Sequence, residues 1–370
     1  MPTSRLQVRR CASCHTARPP SCYAERQWGI PPAGGNPLCT ACEFELSADV
    51  DRQDGEGRTA LWRAAHRGEL GLVEALVERG ASHTLSDRTG RSPLYAAAGH
   101  DGGGGHLAVV RWLAGNGGSA TQPNNHGATP LYVAASNGHL EVVQWLTANG
   151  GSVNGGSVNG DGCSIPQLAD TGDTPLHAAV RAGHLAVVQW LAGNGALVTD
   201  RTNDGRTALC VAAREGHLEI VLWLADRGIS VTQPDEAGFT PLYVAAQNGH
   251  LAVVRWLAGN GGLATQPIKG GFTPLYAAAK MGHLAVVQWL AENGGSVTQP
   301  SEKGASPLFA AARAGHLAVV QWLTGNGASV TQPTNGGVSP LQAAQGKRHT
   351  AVAEWLAEHG GRGDAGSTPT

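Results

Sequence analysis

Apolar residues along this chain come in two short bursts separated by a few polar positions, and the stretch from Thr240 to Phe272 shows the pattern cleanly. Leu242, Ala245 and Ala246 follow the i, i+3, i+4 spacing of one helical face. The Thr240 hydroxyl is placed to cap that helix, and Pro241 suits its first position, where a missing N–H is harmless. Gly249 supplies a left-handed stop. A second helix is predicted from about Leu251, with Val253, Val254, Trp256 and Leu257 on a broad apolar face and Asn260-Gly261 ending it. The result is a hairpin of two short helices, thin on the alanine side. Gly262 to Phe272, with Thr265-Gln266-Pro267 inside, is turn-forming and predicts a β-type loop leading into the next segment.

The same pattern recurs along most of the chain. Trp112, Trp145, Trp190, Trp223, Trp256, Trp289, Trp322 and Trp355 are separated by 33 residues except for one gap of 45. The helix-start Thr or Ser recurs at Thr59, Ser92, Thr129, Thr174, Thr207, Thr240, Thr273, Ser306 and Ser339, which makes nine units within residues 58–360. Gly-rich insertions near 100–104 and 151–162, the latter containing a duplicated GSVNG, account for the irregular gaps and read as flexible. A unit this short buries too little surface to offset backbone entropy of about 1–2 kcal/mol per residue, so neighbouring units must stack. With helices packed about 8–10 Å apart, nine units predict a curved rod roughly 80–90 Å long. The terminal units carry the polar residues an array end needs: Arg63, Arg67, Glu69 and Glu74 in the first, and Gln342, Gln345, Lys347, Arg348 and Thr350 in the ninth.

The order T-P-L-[YH]-x-A-A-x-x-G-H-L-x-V-V-x-W-L-x-x-N-G, and Thr174-Pro175-Leu176-His177-Ala178-Ala179 above all, resembles the ankyrin repeat family. The resemblance implies an all-α solenoid of helix-turn-helix units with β-type loops, used to hold another macromolecule. It also implies that partners lie against the loop tips and the first helices. There the outward pairs Ser136-Asn137, Val180-Arg181, Arg214-Glu215, Gln247-Asn248, Lys280-Met281 and Arg313-Ala314 mix charges without a dominant sign, which points to an unidentified protein partner. The recurring Thr-Gln-Pro of the loops reads as duplicated turn chemistry. Two departures from the family stand out: Trp where the second helix commonly has Leu, and Gly115, Gly193, Gly259 and Gly325 near that helix's end, where frayed ends are expected.

Composition narrows the function. A formal net charge of -2 over 370 residues excludes blanket electrostatic binding of nucleic acid. The start MPTSRLQVRR lacks the apolar run of a signal peptide, and no stretch approaches the roughly 20 apolar residues of a membrane span. A soluble intracellular protein is expected. Only four of 26 basic residues are lysine, a bias that reads as genome composition rather than function. His106, His139, His184, His217, His250, His283, His316 and His349 occupy one position per unit. Repeats about 8–10 Å apart cannot share a zinc ion bound at about 2.1 Å, so these histidines are predicted to make structural hydrogen bonds. No nucleophile–base signature or carboxylate pair is present, and the chain is not expected to be an enzyme.

Five of seven cysteines crowd between Cys11 and Cys42. Cys11-x2-Cys14 and Cys39-x2-Cys42 are two knuckles that can surround zinc with four thiolates, with Cys22 and His15 as spare ligands. Within residues 1–46 a metal would supply most of the folding free energy. Cys11-Ala12-Ser13-Cys14, Pro19, Pro20, Trp28, Gly34, Gly35 and Leu38-Cys39-Thr40-Ala41-Cys42 resemble a GATA-type zinc finger, which would imply sequence-specific DNA binding. Five arginines against one acid in residues 1–42 fit phosphate contact. Gly29 stands where that family usually has Arg, and Glu43, Glu45, Asp49, Asp51, Asp54 and Glu56 stand where it has a basic tail. Residues 47–57 read as an acidic linker and 361–370 as a disordered tail. Two readings stay open: a transcription-linked scaffold in the nucleus, or a cytosolic adaptor whose knuckle is structural or protein-binding. The oligomeric state is not fixed by the sequence.

Overall fold

A computed structural model describes residues 49–100, 105–154, 156–157, 165–166 and 172–360. The candidate ligands Cys11, Cys14, Cys39 and Cys42, with Cys22, His15 and Cys163, lie outside the described residues. The chain divides into two compact units between Leu197 and Val198.

In the first unit the hairpins are α1 (Ala60–His66) with α2 (Leu70–Glu78), α3 (Pro93–Ala98) with α4 (Leu107–Gly115), α5 (Pro130–Ser136) with α6 (Leu140–Ala148), and α7 (Pro175–Ala182) with α8 (Leu185–Gly193). In the insertion after α6, read as flexible, β1 (Gly156–Ser157) pairs in a two-residue antiparallel ladder with β2 (Ile165–Pro166) just beyond it. In the second unit they are α9 (Ala208–Glu215) with α10 (Leu218–Asp226), α11 (Pro241–Gln247) with α12 (Leu251–Gly259), α13 (Pro274–Met281) with α14 (Leu284–Glu292), α15 (Pro307–Ala314) with α16 (Leu317–Gly325), and α17 (Pro340–Gly346) with α18 (Thr350–Gly360).

Every first helix starts as its sequence dictates. Thr240 Oγ1 accepts the Tyr243 N–H at 3.2 Å, ahead of Pro241 at the first helical position. His177 closes a full capping box with Thr174. Within a unit, consecutive first helices lie flush, α11 on α13 and α13 on α15, because their facing residues are alanines such as Ala245, Ala246, Ala278 and Ala279, all fully buried. Second helices fill the other side of the core with Val253, Val254 and Leu257 and their equivalents. The repeated tryptophans of the second helices are each half-buried. The second-helix glycines Gly115, Gly193, Gly259 and Gly325, where fraying is expected, are the last residues of their helices. Gly259 is the last residue of α12, and the Trp256 carbonyl accepts both the Asn260 backbone N–H at 3.1 Å and the Asn260 side-chain amide at 2.8 Å. The side-chain amides of Asn116, Asn194 and Asn326 donate to the matching Trp carbonyls after Gly115, Gly193 and Gly325.

The periodic histidines stitch one repeat to the one before it. His283 Nε2 donates to the Gln247 carbonyl at 3.1 Å, His316 to Lys280 at 3.1 Å and His250 to Arg214 at 2.8 Å. A carbonyl can only accept, so Nε2 carries the proton. Each ring then lies over the glycine that ends the preceding repeat's first helix. Gly249 sits at φ +83°, and a Cβ there would stand 2.6 Å from His283 Nδ1. The same approach joins Gly282 to His316 and Gly315 to His349. The array ends obey the same logic. The first repeat has Glu69 where the others have His, with no described repeat before it to touch. The ninth has Arg348 at φ 61° where the others have Gly, with no following ring to exclude a side chain.

Candidate functional site

In the second unit, the first helices α13, α15 and α17 and the loops before them enclose a groove of about 880 Å³. Its floor is apolar. Phe309 is 8% exposed and packs with Ala305 and Ala343, and Tyr276 leans on that cluster with its ring 4.9 Å from the ring of Phe272. Burial raises the Tyr276 phenol above its ordinary value, while the positive charge of Arg313 pulls the other way. Val338, 40% exposed, forms part of one wall.

The rim is cationic. Lys280, Lys303, Arg313 and Lys347 line the groove, and no carboxylate does among the described residues. All four are exposed, and none forms an ion pair among the described residues. Cations on other first helices are differently placed. Arg181 pairs with the buried Asp173, and Arg214 lies 3.9 Å from Glu215. Residues 198–360 contain eleven basic and eleven acidic residues, so the positive rim comes from local segregation rather than from an excess of charge.

The first unit has a smaller groove of about 410 Å³ between α1, α3 and α5, and its chemistry differs. The Arg91 guanidinium donates to Asp87 at 2.8 Å and its carbon lies 5.6 Å from the centroid of the Trp62 ring, while Trp62 Nε1 donates to the Arg91 carbonyl at 3.0 Å. Hydrogen bonds from Thr89 and Arg91 hold the Asp87 carboxyl below its usual range against the opposing effect of burial. Arginine, carboxylate and indole are thus committed to one another.

The sequence alone puts partners on the first helices and loop tips but shows no dominant charge there. The structure corrects this over α13 to α17, where Lys280 and Arg313 are joined by Lys303 and Lys347. Three of the chain's four lysines line one groove. The scarcity of lysine, which by itself reads as genome composition, is the signal, since all four lie between residues 269 and 347. Elsewhere, Cys210 is buried in the slot that holds an aromatic ring or His in seven of the other eight repeats. Burial pushes its thiol up to about 11, which leaves it unreactive. Among the described residues no group of His, Cys, Asp and Glu is arranged to hold a metal, and no helix is long and apolar enough to cross a membrane.

A family model described as "Ankyrin repeats (3 copies)" matches residues 33–121, 85–156, 157–235, 230–301 and 295–365. The matches together run through both units and begin ahead of Cys39 and Cys42.

Proposed function

Because the chain belongs to the ankyrin repeat family, we propose that it is a non-catalytic protein-interaction scaffold whose partner lies across the first helices and the loops before them. The observation that carries this is the open groove over α13, α15 and α17, with a buried aromatic floor beneath exposed, unpaired cations. Rigid repeats present such a surface with little ordering left to do on binding. The full chain, immobilised and exposed to lysate of its source cells, is expected to retain a protein that cross-links to residues 272–347. Cross-links confined to second helices such as α14 and α16 would overturn the placement.

The N-terminal residues add a second element to the reading. Two CxxC knuckles support a zinc ion held by Cys11, Cys14, Cys39 and Cys42, where the metal would tie together a segment too short for a core of its own. The acids after Cys42 support a knuckle that staples the N-terminus or docks on protein, while the arginines before it support the other reading, a GATA-like DNA reader. Metal analysis of the full chain is expected to give one zinc per molecule, lost on Cys11→Ser with Cys39→Ser. A gel-shift assay decides the alternative: salt-sensitive, sequence-preferring DNA binding lost with those cysteines would establish the reader.

A further inference from the structure

The cations of the second-unit groove are in a row. Lys280 and Arg313 occupy the same position near the ends of α13 and α15, and Lys347 comes after α17 one position later, so each of three successive repeats contributes one charge. Helices packed about 8–10 Å apart set the step between these charges. An extended polyproline-II chain advances about 9 Å in three residues and presents every third side chain on one face. The step of the row matches the step of such a chain.

Resting on the scaffold reading, we propose that this groove takes an extended acidic segment of a partner protein, with carboxylates at every third residue against Lys280, Arg313 and Lys347 and aliphatic side chains between them on the Phe309–Tyr276 floor. Lys303, on the loop before α15, stands as a further donor on the rim, and its neighbour Glu302 does not line the groove. Three observations favour protein over nucleic acid. The aromatic rings are packed into the floor rather than displayed as stacking faces, with Phe309 only 8% exposed. Small apolar residues, Ala310 and Ala314, stand beside the cations rather than further polar groups that would read a base edge. The unit's balanced eleven against eleven charges give no extended basic track for a phosphate backbone. The rim cations are exposed, so their contribution is steering and register, while the apolar floor supplies the affinity.

Fluorescence anisotropy with the full chain and a labelled peptide of repeated Glu-Pro-Leu triplets tests the assignment. Salt-sensitive binding is expected, weakened about 10- to 100-fold by the combined Lys280→Glu, Arg313→Glu and Lys347→Glu variant and less by the corresponding glutamines, which spare the helix ends a repulsive charge. A peptide of Gln-Pro-Leu triplets should bind much more weakly. Circular dichroism checks that the variants keep their helices, and Val338→Glu, which places a charge on the exposed apolar wall, should also weaken binding. The proposal falls if the Glu and Gln peptides bind alike, if neither binds, or if charge reversal leaves binding unchanged. It falls equally if a labelled single-stranded oligonucleotide binds more tightly than the Glu peptide and is lost on charge reversal. A cellular protein still cross-linked to the first helices of the charge-reversed chain would leave the scaffold reading standing without this site.

Discussion

Replacing Gly249 with alanine tests the stitch between repeats at its tightest point. The backbone there is left-handed at φ +83°, and the new methyl carbon would stand 2.6 Å from Nδ1, 2.8 Å from Cε1 and 2.9 Å from Cγ of His283. Holding a non-glycine residue in the left-handed region costs about 1–2 kcal/mol. Relief of the clash requires the imidazole to move, which breaks its 3.1 Å bond to the Gln247 carbonyl, a further loss of about 0.5–1.5 kcal/mol. With the disturbed packing, the total comes to about 2–4 kcal/mol. Urea unfolding should show this as a lower midpoint at an unchanged slope. The decisive comparison is Gly249→Ala in a His283→Ala background, where only the backbone part, about 1–2 kcal/mol, should remain. An equal penalty in both backgrounds would refute the steric argument, and a penalty below about 0.5 kcal/mol in the wild-type background would refute both parts of it.

The same contacts set three further outcomes. Arg348→Gly should raise stability by up to about 1 kcal/mol in the urea titration, because Arg348 is left-handed at φ 61° and no ring covers it. Thr240→Ala, which removes the cap of the Tyr243 N–H, should cost about 0.5–2 kcal/mol by the same measurement. Acid should weaken the array through its histidines. Burial, with the nearby ring of His100 for His106, holds the imidazoles of His106 and His283 below their ordinary value of 6.5. The unfolded chain then binds more protons than the native one, so the stabilisation is present at neutral pH and is lost as pH falls below about 6.5. Urea midpoints measured from neutral to mildly acidic pH should decline, and His106→Ala with His283→Ala should flatten part of that decline.

Local signals carry much of this fold into the sequence. Thr240, Pro241, Gly249 and Asn260-Gly261 each act on their own few residues, so the start and stop of α11 and α12 are readable from their chemistry. The features hidden from a linear reading are relational. Gly249 and His250 are neighbours in the chain yet serve different partners: the glycine receives the ring of His283, and the histidine bonds the carbonyl of Arg214. Only stacking brings those residues together, about one repeat apart. Intrinsic propensity alone predicts fraying at the second-helix glycines, and it does not count the Asn side-chain bonds to the Trp carbonyls that tie those helix ends. The groove is hidden for a similar reason. Lys280, Lys303 and Lys347 are scattered in sequence and converge because α13, α15 and α17 pack side by side. A shortage of lysine carries no spatial meaning until the repeats are stacked.

That a partner protein engages the first helices is tested most directly by hydrogen–deuterium exchange of the full chain, alone and saturated with a protein it retains. The account predicts slowed exchange in residues 272–281, 303–314 and 334–347, with residues 284–292 and 317–325 unchanged. Protection confined to those second helices, or absent from the array altogether, would contradict it.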